Sequence, residues 1–267
     1  MNEIDDIEYL AFFFYSKQHQ ICKKTMFRHQ GKARTIDQNK KIASLLSLVA
    51  GIVNVVGFLS VKRLTTNVTG HFAFFLDEVF KLHYSESLTY FLFIFFFFLG
   101  SFVSSLLVEI ISRKNVQLIY VIPTIIECVI LFVIAFFGQS LIANYSNIIA
   151  FSLLFAMGLQ NSLVTRISGA IVRTTHLTGL FTDLGIELSQ LFFYKEKEPK
   201  VKLVSTIKLR LRIIAYFFTG GILGGVFYSY YQLYVLIIPA SLLIIGLIYD
   251  NIKFRILNWK RKIAIKE

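Results

Sequence analysis

The same polar motif occurs twice in this sequence, about 109 residues apart. Thr-Thr-x-x-Thr-Gly stands at residues 65–70 and again at 174–179, and a Gly-x-x-Asn element ending at Asn54 or Asn161 precedes each copy. Thr side chains cap the first amides of a helix, and Gly lets a backbone or a ligand approach closely. Helices beginning at these motifs would direct free N–H groups and a positive dipole end at an anionic or polar group. The pattern favours a binding site, the alternative being ordinary capping with close helix packing.

A solute-binding site is predicted from the polar and glycine residues of the two copies. They are Asn54, Thr66, Thr69, Gly70, Asn161, Thr175, Thr178 and Gly179. The two Asn residues lie within apolar segments, where a polar side chain faces the bundle interior or water. Their alternative role is an interhelical hydrogen bond, worth about 0.6–2 kcal/mol. Arg63 and Arg173 lie just upstream of the motifs and would suit an anionic group.

Four acidic residues are predicted to carry ions or protons. They are Glu78, Glu127, Asp183 and Glu187. Glu78 and Glu187 each follow the Gly of a motif by eight residues. Glu127 lies one turn after Pro123 in an apolar segment, and a carboxyl group inside a membrane is a candidate functional group. The alternatives are a wet polar face on an interfacial helix for the motif acids, and a neutral hydrogen-bonded side chain for Glu127.

The composition places these motifs in a membrane. Of the 267 residues 55% are hydrophobic and 16% are charged, whereas soluble domains carry about a quarter charged residues. Helix-length apolar runs recur from residue 43 to residue 250 without the alternation of β-barrel strands. The predicted fold class is therefore an all-α polytopic helical membrane protein. The net charge of +12 lies mainly between apolar runs, as the positive-inside rule predicts, so no nucleic-acid partner is expected.

Catalytic and metal-binding signatures are missing from the sequence. Cys22 and Cys128 are too few and too far apart for a disulfide framework or a metal site, and the histidines show no HxxxH or HExxH spacing. No nucleophile elbow, paired-Asp protease motif or Walker loop occurs. The sequence therefore predicts no enzyme, no metal and no cofactor.

Eight apolar or amphipathic segments follow one another along the chain. They are residues 43–61, 67–83, 88–112, 116–138, 147–165, 176–194, 210–230 and 231–250. The first four match the last four in order, through the motif copies and through small residues at 100–105 and 220–225. The predicted organisation is a basic N-terminal tail, two internal repeats and a basic C-terminal tail, at residues 1–41, 42–138, 139–252 and 253–267.

Lys and Arg residues cluster where the positive-inside rule requires cytoplasm. The clusters are residues 17–41, 113–114, 195–212 and 253–266. The chain then crosses the membrane six times with both termini cytoplasmic. Segments 67–83 and 176–194 do not cross, and the repeats are inverted. Eight crossings in parallel repeats are the rival count. It is disfavoured because each acid in those two segments would cost about 2.5–3.5 kcal/mol at the bilayer centre.

The motif regions resemble a known family. GIVNVVGFL at 51–59 with TNVTG at 66–70 resembles the first signature of the YoaK family of bacterial integral membrane proteins. GLQNS at 158–162 with RTTHLTG at 173–179 resembles the second. The resemblance implies a multi-pass protein of the bacterial inner membrane and supplies no substrate.

Two functions fit these observations. The first is a transporter or channel for a small solute or ion, with a polar site at the interface of two repeats. The second is a non-transporting membrane scaffold or regulatory protein, in which the two short segments only pack. The expected partners are the lipid bilayer and an unidentified small solute or ion. A homo-oligomer is left open.

Overall fold

A computed structural model describes residues 36–113, 119–170, 172–193 and 197–264. These residues form helices α1 (Ile36–Val61), α2 (Val68–Phe80), α3 (Tyr84–Ser112), α4 (Val121–Ser168), α5 (Leu177–Gln190), α6 (Lys197–Tyr231) and α7 (Ile237–Ala264), with a 3-10 turn at Gln232–Leu236 before α7. The predicted N-terminal tail lies outside the described residues as far as residue 35. The all-α class is as predicted.

Within the described residues, four stretches are long and apolar enough to cross a membrane. They are Gln38–Val61, Tyr84–Ser112, Val121–Ser168 and Glu198–Lys253. The third has 48 residues, which is about 72 Å of helix against a hydrocarbon core of about 30 Å. The third and fourth stretches are therefore each long enough to cross twice.

The loop predicted between segments 116–138 and 147–165 is shorter in the structure, because helix reaches from both sides to a kink at Tyr145, with φ −136° and ψ 35°. α4 is therefore two helices that meet at Tyr145, and a Cβ atom on Gly138 before the kink would lie 3.8 Å from the side chain of Ile149 after it. The stretch from Gln139 to Ser146 contains neither Gly nor Pro. The residues on either side of Tyr145 therefore stay helical despite their polar side chains, because polarity by itself does not end a helix.

The basic loop predicted before residue 210 is also helical, because α6 begins at Lys197. Leu203 and Ile207 from this part of α6 are buried against Leu184 of α5. Helix-forming Lys, Leu and Arg residues and this apolar contact extend the helix upstream of the predicted span. At the C-terminal end α7 continues to Ala264, past the predicted boundary at residue 252.

Glycines bring two pairs of helices into backbone contact. α1 packs along α6, and α3 packs along α4. A Cβ atom placed on any of four glycines would lie 2.1–2.2 Å from a carbonyl oxygen of the facing helix. The contacts are Gly51 with Phe217, Gly220 with Leu48, Gly158 with Phe97, and Gly100 with Phe155. Such close approach gains van der Waals contact in a bilayer, where apolar burial drives no association.

The helices that carry the two Asn residues cross near the centre of the protein in opposite directions. Gln160 of α4 donates a hydrogen bond of 2.8 Å from Nε2 to the carbonyl oxygen of Leu46 in α1. Further along α1, a Cβ atom on Gly57 would lie 3.1 Å from the side chain of Leu153. Higher numbers in α1 therefore meet lower numbers in α4. The short helices α2 and α5 pack against α3 and α6, the long helices that follow them.

Candidate functional site

Both motif copies follow a sharp reversal of the chain. α1 is followed by Lys62 with φ 53°, and α4 is followed by Gly169 and Ala170 with φ 63° and 64°. Left-handed residues end a helix and turn the chain back on it. After the second reversal, Ser168 Oγ accepts a hydrogen bond of 2.9 Å from the Val172 amide. The two reversals place each motif beside the end of its own Asn-bearing helix.

The polar groups of the first copy bond largely to one another. Thr66 donates from Oγ1 to Oδ1 of Asn54 at 2.7 Å. Asn67 caps α2, because its Oδ1 accepts from the Gly70 amide at 3.0 Å. The cap satisfies one of the amide groups that a helix start otherwise leaves free.

Aromatic rings surround the rest of the first copy. Arg63 donates to the hydroxyl of Tyr90, and its guanidinium lies 5.1 Å from the centre of that ring. His71 is buried, with its ring 4.8 Å from Phe93 and its Nε2 in contact with the Leu64 carbonyl. The cation and the imidazole of this copy are both held by other groups of the protein.

The polar groups of the second copy make fewer hydrogen bonds within the described part of the protein than those of the first. Oδ1 of Asn161 is buried and has no hydrogen-bond partner among the described residues, whereas its counterpart in Asn54 accepts from Thr66. His176 stands at the N-cap of α5 and makes no side-chain capping bond. Thr174 is fully buried, 3.5 Å from Nε2 of Gln160, so this loop is anchored where α1 and α4 cross.

A cavity of about 350 Å³ lies beside this second copy. Its lining comes from the loop before α5, from the first turns of α5 and from α6. The lining residues are Ala170, Arg173, His176, Gly179, Leu180, Asp183, Thr206 and Arg210. The volume falls in the lower range of pockets that hold small molecules. Of the predicted site residues, Gly179 and Asp183 line it. Thr69 and Thr178 are exposed, and Gly70 and Thr175 are half-buried.

Arg210 of α6 holds two of the predicted ion carriers. Its Nη1 lies 2.8 Å from Oδ2 of Asp183, and its Nε lies 2.9 Å from Oε2 of Glu187. The Arg210 side chain is 22% exposed and the Glu187 side chain is 13% exposed. The triad is therefore partly buried and stronger than a surface ion pair. Arg210 was missed because it was counted only in the basic cluster at residues 195–212. The helical spacing of Leu203, Ile207 and Arg210 was the signal that could have placed it on the packed face.

Glu78 occupies a different setting at the turn between α2 and α3. Its Oε2 lies 2.9 Å from Nδ1 of His83, and its Oε1 lies 3.7 Å from Nζ of Lys81. Lys81 also donates to Asp77, and this hydrogen bond raises the pKa of the Lys81 ammonium. Glu78 and Glu187 therefore share an offset from their motifs but differ in partners and exposure.

Glu127 lies apart from the cavity lining. It is 1% exposed, and its Oε1 has no hydrogen-bond partner within the described ranges. The next residue, Cys128, donates from Sγ to the Ala240 carbonyl of α7 at 3.6 Å. This carboxyl group is therefore placed in the packed interior of the helices. Across the described part of the chain, no three His, Cys, Asp or Glu side chains lie close enough together to hold a metal ion.

The fold and its apolar stretches define an α-helical membrane protein. Residues 42–249 match the family described as "Protein of unknown function (DUF1275)", and the chain belongs to that family. It is also 29% identical over 181 residues to the UPF0700 transmembrane protein YoaK of Bacillus subtilis (strain 168), a match that covers 66% of this chain and 78% of that protein. The resemblance to the YoaK family is confirmed. No solved structure matches the chain.

Proposed function

We propose that this protein is a transporter or channel for a small solute or ion, with its solute site beside the second motif copy. The observation that carries the proposal is the cavity of about 350 Å³ lined by Arg173, His176, Asp183 and Arg210. A cavity lined by a few convergent charged groups is the usual form of a small-molecule site. The proposal assigns no enzymatic activity, metal or cofactor.

The proposed topology has six crossings in two inverted repeats, with α2 and α5 as non-crossing helices. Support comes from the opposite directions of α1 and α4 where Gln160 meets Leu46. Reciprocal contacts support it too, since Gly51 meets Phe217 in the same way that Gly158 meets Phe97. We further propose the inner membrane of a bacterium as the location, with cytoplasmic termini, from the distribution of Lys and Arg.

The ion or proton path is proposed to use the acids at three places. Asp183 and Glu187 lie on the Arg210 triad, and Asp183 also lines the cavity. Glu127 supplies a buried carboxyl group between α4 and α7. Glu78 lies in α2, the helix that begins at the first motif copy. Inverted-repeat transporters combine such broken helices and acids near the bilayer centre, which is an analogy of architecture only.

Filling the cavity tests the transport proposal. Gly179→Leu adds a side chain where a Cβ atom would meet nothing nearer than 3.5 Å, so the fold tolerates it while the cavity fills. Gly185→Leu is the matched control, because it adds the same group to the same helix with nothing within 4 Å. Flux of a broad solute panel into proteoliposomes should be lost in the first variant and kept in the second.

Equal flux in both variants and the wild type would remove the cavity from the path. A panel without any flux or thermal stabilisation would favour the alternative of a non-transporting scaffold.

Cysteine accessibility tests the topology. In a chain without its native cysteines, Ser85→Cys reports the α2–α3 turn and Ser189→Cys reports the end of α5. Both serines are exposed, so labelling does not require unfolding. The inverted arrangement places them on opposite faces of the membrane. Labelling of both from one side contradicts it.

A further inference from the structure

We infer that the second-copy cavity binds the anionic group of a solute, a carboxylate or a phosphate, and that the first copy is a closed counterpart whose own side chains occupy the equivalent corner. This inference rests on the proposed function and names the ligand class of the same site. It also reduces two symmetric candidate sites to one.

The cavity has one cation that the protein does not neutralise. Arg173 and Arg210 both line it, against a single lining acid, Asp183. Asp183 pairs with Arg210 at 2.8 Å, and Glu187 pairs with it from outside the lining at 2.9 Å, so Arg210 is fully neutralised and only Arg173 can supply a free cation. Arg173 is exposed and has no ion pair or hydrogen bond within the described ranges. A planar guanidinium beside a cavity suits bidentate contact with a carboxylate or phosphate.

The beginning of α5 adds to this positive field. Gly179 lines the cavity two residues after the helix begins, and the N-cap residue His176 makes no bond that would satisfy the first amides. A Cβ atom on Gly179 would lie 3.5 Å from Nδ1 of His176, so the imidazole stands next to this turn. The helix dipole and Arg173 therefore both favour negative charge at one end of the cavity, where the imidazole offers a ring N–H donor.

The first copy shows what closes such a corner. Asn67 stands where His176 stands and caps its helix at 3.0 Å. Tyr90 precedes Gly100 by ten residues, as Arg210 precedes Gly220, and it binds Arg63. In the first copy the capping side chain therefore bonds to its own helix, and the cation bonds to an aromatic residue of α3.

A cation or zwitterion is the competing ligand class, and Asp183 separates the classes. If the ligand is an anion, Asp183 competes with it for Arg210, so Asp183→Asn should lower the half-saturating concentration of the ligand several-fold. For a cation, the same variant should abolish binding. Because Asp183 is half-exposed, the substitution leaves the packing of α5 intact.

The experiment measures thermal stabilisation of the full-length protein in detergent. Sodium phosphate and sodium acetate are the anion probes, methylammonium chloride is the cation probe, and sodium chloride holds the ionic strength constant. Arg173→Gln should raise the half-saturating anion concentration about tenfold or more. Arg63→Gln, the first-copy control, should leave it unchanged.

A second arm replaces the soluble probes with phosphatidylglycerol or phosphatidylcholine. Stabilisation by phosphatidylglycerol alone, lost in Arg173→Gln, would support the anion site and identify a lipid phosphate as its source. Stabilisation by methylammonium that survives Arg173→Gln and is lost in Asp183→Asn would overturn the inference while leaving the solute site in place. The absence of stabilisation by any probe, together with flux that Gly179→Leu does not change, would overturn both proposals.

Discussion

Replacing Gly158 by Ala tests the helix contacts that set the architecture. The added methyl carbon would lie 2.2 Å from the carbonyl oxygen of Phe97 and 3.0 Å from the amide nitrogen of Ser101, both in α3. Neither atom is the end of a flexible side chain, so α3 and α4 must separate. A carbon–oxygen contact needs about 3.4 Å, which requires a shift on the order of 1 Å.

The expected cost combines two terms. Overpacking of this kind destabilises by about 1–3 kcal/mol. Separation also stretches the hydrogen bond from Ser101 Oγ to the Gly158 carbonyl, now 3.1 Å long, which is worth about 0.5–1.5 kcal/mol. The total is about 1.5–4.5 kcal/mol. At Gly51 the same clash occurs with Phe217, but Gly221 stands where Ser101 does, so Gly51→Ala should cost only about 1–3 kcal/mol.

The assay is reversible unfolding of the purified protein in mixed micelles, with Gly185→Ala as the control. Gly185 has nothing within 4 Å of an added Cβ atom, so Ala there should be neutral or stabilising by about 0.5–1 kcal/mol. The expected order of stability is Gly185→Ala, then Gly51→Ala, then Gly158→Ala. A Gly158→Ala protein as stable as the wild type would show that the α3–α4 contact is looser than described.

Three further predictions concern the Arg210 triad, the two helix caps and Glu127. Arg210→Gln should destabilise the protein by about 1–3 kcal/mol, because it leaves the mostly buried Glu187 unpaired. The double variant with Glu187→Gln should regain part of this loss in the same unfolding assay. A single variant as stable as the wild type would contradict the prediction. Asn67→Ala should lower the free energy of unfolding by about 0.5–2 kcal/mol through the lost helix cap. His176→Ala should lose no capping energy, because His176 makes no side-chain cap bond. Equal losses of stability in the two variants would refute this difference between the copies. Glu127→Gln keeps the side-chain shape but removes its proton, so proteoliposome flux should lose its pH dependence; an unchanged pH profile would exclude Glu127 from the path.

Local sequence patterns predicted the helical class and the short helices well. Segment 67–83 corresponds to α2 at Val68–Phe80, and segment 176–194 corresponds to α5 at Leu177–Gln190. Thr and Gly at the start of each helix, with an amphipathic run behind them, are signals carried by neighbouring residues. Loops predicted from polarity were too long, as at Gln139–Ser146, where only Tyr145 leaves helical geometry, because charged and amide side chains are compatible with a helix when no Gly or Pro intervenes.

The candidate site was predictable only in part, for a physical reason. The sequence by itself determined the membrane class, the duplicated motif and the presence of Arg173, Gly179 and Asp183 beside it. Only the tertiary structure brought Arg210 of α6 within 2.8 Å of Asp183 and Tyr90 of α3 against Arg63. Identical local motifs start similar helices, because capping and turn formation involve adjacent residues. Whether a motif is closed by aromatic rings or lies beside a charged cavity depends on side chains of the long helix that packs on it, α3 for the first copy and α6 for the second.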